Sequence, residues 1–272
     1  MVVTVLHAMP TDESMRRPKS FWEQAVFGYT QELARRGTGN VFVPAGESDM
    51  ISALPADVVV VFNLPQAKDD RRVVPPPGVP TIRVVSATDF MGTPSTQRDD
   101  CVGRVVWDYH AALGAVFTHL VDAGAQRPGL LLPPKPLMPT ALIRQAQDEW
   151  CRSHGKDVLR DESPDIAAAT RSLLALDCDG LVVHGDDAAG DIDRVMDVCR
   201  SMGRKVPGDV LVTSISDGRR EAELEPPVTS LTYDGMASGV QIATAVTEWL
   251  RTGRFPPTDV AWQLVVRTST TR

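Results

Sequence analysis

Short β-branched runs alternate along the chain with longer segments of helical periodicity, and this alternation constrains the fold more than any other feature. Runs such as VVTVL at 2–6 and VVVVF at 58–62 are almost wholly apolar and β-branched, the pattern of strands buried on both faces of a parallel sheet. Between residues 20 and 37, Phe21, Trp22, Ala25, Val26, Tyr29 and Leu33 recur at helical spacing, and Gly37 supplies the stop. Further strands are expected at 40–43 and 81–85, the latter after the stiff stretch VVPPPGVP. After Val105 and Val106 a helix at 110–124 opens a second series. It continues with strand 129–132, helices 140–154 and 165–176, strand 180–183, helix 188–202 and strand 210–214. Helix 235–252 and strand 262–266 close the chain. Two such series without a Gly/Ser linker predict an α/β protein of two doubly wound, Rossmann-like lobes around a cleft that would take a ligand.

The length of 272 residues suffices for two mid-sized cores, and 43% hydrophobic with 23% charged residues excludes a disordered chain. A net charge of −7 opposes the basic footprint that phosphate neutralisation requires, so the chain alone is a poor candidate for nucleic-acid binding. Cys101, Cys151, Cys178 and Cys199 form no C-x-x-C pair, which points to reduced, mostly buried thiols rather than a zinc or redox site. The N-terminal MVVTVLHAMP lacks the features of a secretory signal, and no run reaches the ~20 apolar residues of a membrane span. A cytoplasmic protein with no membrane partner is expected. There is no G-x-S-x-G, H-E-x-x-H, P-loop or strand-linked G-x-G-x-x-G, so neither catalysis nor a cofactor is expected.

The C-terminal half is more specific. The run KVPGDVLVTSISD, the spacer GRREAELE, PPVTSLTYD and the closing LVVRTST follow one another in the order and at the spacing of one family. Together with VVWDYHAALGAVFTHLVDAGAQRPGLLL upstream, they closely resemble the effector-binding domain of the lactose-repressor (LacI/GalR) family. The likeness covers residues 81–270 well and the first eighty residues mainly by pattern. It implies a periplasmic-binding-protein type fold whose chain crosses between lobes three times, near Val106, near 232–234 and near 261–262. The lobes would then be 1–106 plus 234–260, and 107–233 plus 261–272. It further implies a homodimer whose DNA contacts lie in a helix-turn-helix headpiece. Met1 stands directly before the first strand, so that headpiece is expected to be absent from this chain, and operator DNA would be reached only through it. The rival readings are a solute-binding protein of an ABC transporter, which shares the fold, and a degenerate module that binds nothing.

The resemblance also nominates residues. Arg144, in TALIRQAQDEW, stands where the family has the arginine of R-x-x-G that reaches toward the effector, although the family's glycine is Gln147 here. A guanidinium fork suits vicinal hydroxyls, carboxylates or phosphates, while the plainer reading is a solvated helix arginine. In LVVHGDDAAGD, where relatives carry Asn-Asp, the candidates are His184 and Asp186; Asp186 could equally cap the next helix, and Asp187 reads rather as that cap. Ser216 replaces the first of two acidic residues that commonly chelate sugar hydroxyls, and Asp217 reads rather as a loop anchor. Phe21, Trp22 and Tyr233 are candidate stacking platforms, with plain helix packing as the alternative for Trp22. His7 and Met9, just beyond the first strand, complete the set. The implied ligand is a small-molecule effector, a carbohydrate or a related compound.

Overall fold

The computed structural model describes residues 1–6, 21–44, 48–62, 77–84, 101–106, 108–133, 140–184, 190–216, 219–260 and 262–272. The chain forms two compact units, one of residues 1–107 with 234–261 and the other of 108–233 with 262–272. It begins in unit 1 with β1 (Val2–Leu6), α1 (Phe21–Arg35), β2 (Asn40–Pro44), α2 (Ser48–Ala53), β3 (Val58–Phe62), β4 (Thr81–Val84) and β5 (Cys101–Val106). Unit 2 follows with α3 (Tyr109–Asp122), β6 (Pro128–Leu131), α4 (Thr140–His154), β7 (Leu159–Asp161) and α5 (Ile166–Ala175). It continues through β8 (Gly180–Val183), α6 (Asp191–Ser201), β9 (Leu211–Ile215), α7 (Arg219–Glu223) and β10 (Thr229–Tyr233). The chain returns to unit 1 for α8 (Gly235–Thr252) and β11 (Thr258–Asp259), then ends in unit 2 with β12 (Trp262–Val265) and a 3-10 turn, Thr268–Thr270.

Each unit is built on a six-stranded sheet, ordered β11-β5-β4-β3-β1-β2 in unit 1 and β12-β10-β9-β8-β6-β7 in unit 2. All described pairings are parallel except β10 with β12. This is the doubly wound α/β architecture that the alternating runs predict. Each of the five residues of β3 is buried, as a strand covered on both faces requires. In unit 2, Leu113 and Phe117 of α3 and Trp150 of α4 share one core, while Leu173 of α5 and Val195 and Cys199 of α6 share another.

Aspartates start the helices that follow the first two passages between units. Asp108 accepts from the Ala111 backbone N–H at 2.9 Å to cap α3, and Asp234 accepts from Ala237 at 2.9 Å to cap α8. Gly253, at φ 70, closes α8 in the left-handed conformation. In unit 1, α1 and α8 approach until backbone meets backbone: a Cβ at Gly239 would lie 2.0 Å from the Ala25 carbonyl oxygen, and one at Gly28 2.4 Å from that of Met236.

The expected helix at 188–202 is described from Asp191, so its first residues lie outside the described segments. Its cap is Gly190, left-handed at φ 68 and without a side-chain cap bond, rather than Asp186 or Asp187, both outside the described residues. The glycine makes the turn into the helix, and the negative charge suited to its positive end comes from Asp191 and Asp193 inside the first turn. The short elements α2, α7, β7 and β11 and the first half of β5 go beyond the sequence expectation. In β5, Gly103 interrupts the β-branched pattern because the Phe255 ring occupies the space of its Cβ, 2.3 Å away.

Candidate functional site

In an open parallel sheet the ligand position is the crevice beyond the carboxyl ends of the strands, at the point where strand order reverses. In unit 2 that point falls between β6 and β8, because the order runs β7-β6 on one side and β8-β9-β10 on the other. The parallel registers bring the ends of these strands to one edge, Leu131 opposite both Asp161 and Val183, and Val183 opposite Ser214. The residues that follow or close the strands therefore form a row of Glu162 after β7, His184 after β8, Ser216 after β9 and Tyr233 at the end of β10. Arg144 joins this edge from the second turn of α4.

Arg144 is 42% exposed and its guanidinium is engaged: Nε donates to Glu162 Oε1 at 2.7 Å, and Nη2 donates to Oε2 of the same carboxylate. The partner sits 31% exposed and is held from a second side by Arg160 Nε, 3.1 Å from Oε1. Arg160, more deeply set at 19% exposure, also reaches Asp148 at 3.0 Å and Gln147 Oε1 at 2.9 Å. Gln147 is fully buried, and its Nε2 donates to the Leu159 carbonyl at 2.8 Å. The residue that departs from the family's glycine thus ties α4 to β7 and places the arginine that steadies Glu162. Hydrogen bonding to Arg144 holds the Glu162 carboxyl below the usual carboxylate range and raises the guanidinium in turn.

His184 is buried at 7% exposure, its backbone N–H donating to Leu131 at 2.9 Å. Ser216 is half-buried, with its N–H on the Leu231 carbonyl at 3.1 Å. Tyr233 faces Tyr109 with ring centroids 6.5 Å apart, and burial pushes its phenol well above the ordinary value. At the end of β9, Ser214 Oγ donates to the buried Glu221 at 2.8 Å, and Arg220 of α7 pairs with Asp193 of α6.

The structure thus gathers Arg144, His184, Ser216 and Tyr233 on one edge of unit 2. Asp186, His7 and Met9 lie outside the described residues, and so does Asp217. Phe21 and Trp22 open α1 in unit 1, with side chains outside the described part. Sequence reasoning missed Glu162, Arg160 and the structural role of Gln147. The signal for Glu162 was its place, an acid directly after a short strand and ahead of the Asp165 helix cap.

Among the described residues no three His, Cys, Asp or Glu side chains converge as metal ligands, and no helix is long and apolar enough to cross a membrane. Cys151, Cys178 and Cys199 are buried free thiols, and burial pushes Cys178 up to about 12 and Cys199 to about 11. In unit 1 an open depression of about 650 Å³ lies beside Arg35, Arg36 and Arg251. Its arginines are already paired, with Glu32 and Glu248.

Residues 117–270 match the periplasmic binding protein-like domain. The chain belongs to that family. It is 27% identical over 206 residues to the HTH-type transcriptional regulator MalR of Streptomyces coelicolor, across 71% of this chain and 56% of that protein. It thus spans little more than half of MalR's length. To the HTH-type transcriptional regulator reg1 of Streptomyces lividans it is 27% identical over 267 residues, across 89% of this chain and 72% of that one. Among solved structures, the transcriptional regulator CelR in complex with cellobiose shares the fold at a TM-score of 0.68 and 22% identity, covering 98% of this chain and 84% of that one.

Proposed function

We propose that this chain is the sensing part of a transcriptional regulator: a small-molecule effector of carbohydrate type binds at the carboxyl ends of the unit 2 strands and changes the protein's conformation. A homodimer would pass that change to DNA-binding headpieces as a shift between two populations of DNA-binding competence. On this reading the chain performs no catalysis, and operator DNA is touched only by the headpiece. The observation that carries the proposal is the row of polar residues at the carboxyl ends of the unit 2 strands, with the Arg144–Glu162 pair after β7, His184 after β8 and Ser216 after β9. Donors and acceptors interleaved beside the Tyr233 and Tyr109 rings suit a polyhydroxylated molecule with an apolar face. Support also comes from the relatives' designation as transcriptional regulators and from the cellobiose that CelR holds.

Thermal unfolding against a panel of saccharides, sugar phosphates, nucleosides and small acids tests the reading. A true effector at 100 times its Kd stabilises the folded state by about 2.7 kcal/mol. The expected result is a response to one saccharide class that Arg144→Ala removes. Silence across the panel, or a response that Arg144→Ala and Ser216→Ala both leave untouched, would overturn it.

A further inference from the structure

An arginine alone at a strand edge is an anion receptor, because its fork matches a carboxylate or phosphate at two points. Arg144 does not stand alone. Two of its donors end on the two oxygens of Glu162, and Glu162 is secured by Arg160 as well. With Asp148 on Arg160, the cluster holds two guanidinium groups and two carboxylates, so it presents no net charge to a ligand.

We infer that Glu162 is the specificity-determining residue of this site: it occupies the Arg144 fork and thereby selects an uncharged polyhydroxylated ligand over a phosphorylated or carboxylated one. The inference rests on the sensor reading and names its substrate class. To take the fork, an anion would have to expel a carboxylate that a second arginine retains, or else sit beside it as a like charge. A sugar hydroxyl needs neither, since it can donate to a Glu162 oxygen and accept from Arg144 Nη1, which makes no hydrogen bond among the described residues. Gln147 makes the arrangement particular to this chain. By filling a position where the family has glycine and accepting from Arg160, it fixes the second anchor of Glu162.

Calorimetric titration of the full chain tests this, with inorganic phosphate and glucose 6-phosphate as anionic probes and cellobiose and maltose as neutral ones. Wild-type protein should ignore both anions. Glu162→Ala should gain about tenfold or more in affinity for them, and the double variant Arg144→Ala/Glu162→Ala should lose that gain. Glu162→Gln, which keeps the side-chain volume, should show the same direction to a smaller degree and guards against a misfolded alanine variant. Anion binding by the wild type that depends on Arg144, or no gain in a folded Glu162 variant, would overturn the role of Glu162. Either result, with saccharide binding intact, leaves the sensor reading standing; failure of every saccharide on wild-type protein would count against the sensor reading instead.

Discussion

Gly239→Ala is expected to destabilise unit 1 by about 3 kcal/mol or more, at the upper end of what overpacking costs. The added methyl carbon would lie 2.0 Å from the Ala25 carbonyl oxygen and 2.6 Å from the Tyr29 backbone nitrogen. Both atoms belong to the backbone of α1, so no rotamer change relieves the clash, and α1 and α8 must move apart. Alanine's better helix propensity, worth about 1 kcal/mol, offsets only part of this. The displacement would reach Tyr29, whose hydroxyl lies 3.1 Å from Thr4 Oγ1 in β1 and whose ring packs edge-on against Phe62 in β3. Urea unfolding of Gly239→Ala beside the wild type measures the effect. A change under about 0.5 kcal/mol, the range of an ordinary surface substitution, would mean that the helices are not in backbone contact.

The second large effect falls on the helix that carries Arg144. Trp150 stacks on Phe117 of α3 with centroids 5.0 Å apart, stacks on His154 at 4.4 Å, and donates its indole N–H to Thr118 Oγ1 at 3.1 Å. Only 6% of it is exposed. Trp150→Ala should therefore cost unit 2 about 3–5 kcal/mol, the range for emptying a buried aromatic site. Since α4 also bears Arg144 and Gln147, the variant should lose effector affinity without any contact to the effector being removed. Trp150→Phe, which keeps the stack but not the N–H donor, should lose far less. Denaturant midpoints and effector titrations on the two variants separate these contributions, and equal loss in both would assign the effect to the hydrogen bond alone.

The longer elements were legible because burial on both strand faces and a single apolar helix face leave different periodicities. The runs 58–62 and 180–183 carry that signal, and so do the helices around Leu113 and Leu173. β7 (LRD), β11 (TD) and α2 (SDMISA) carry too few apolar residues to show a period and are fixed by their neighbours instead. For β7 those neighbours include β6, in parallel register, and the Gln147 side chain.

The candidate site divides in the same way. Arg144, His184, Ser216 and Tyr233 could be nominated one at a time, because each is a recognisable residue type at a motif position. Glu162 was not, since its pairing with Arg144 is created by the adjacency of β6 and β7 in the sheet, a tertiary fact that its place after a short strand does not reveal. Gln147 was visible only as a departure from the expected glycine, and its meaning emerges from the buried bond to Leu159 and from Arg160.

The most direct test of the central claim is a map of amide chemical-shift changes in the isotope-labelled chain as the best saccharide from the panel is added. Within unit 2 the changes should concentrate on Arg144, Glu162, His184, Ser216 and Tyr233, at the carboxyl ends of the strands. Changes confined to the opposite ends, around Pro128, Gly180 and Val210, or scattered without reference to the sheet, would contradict it.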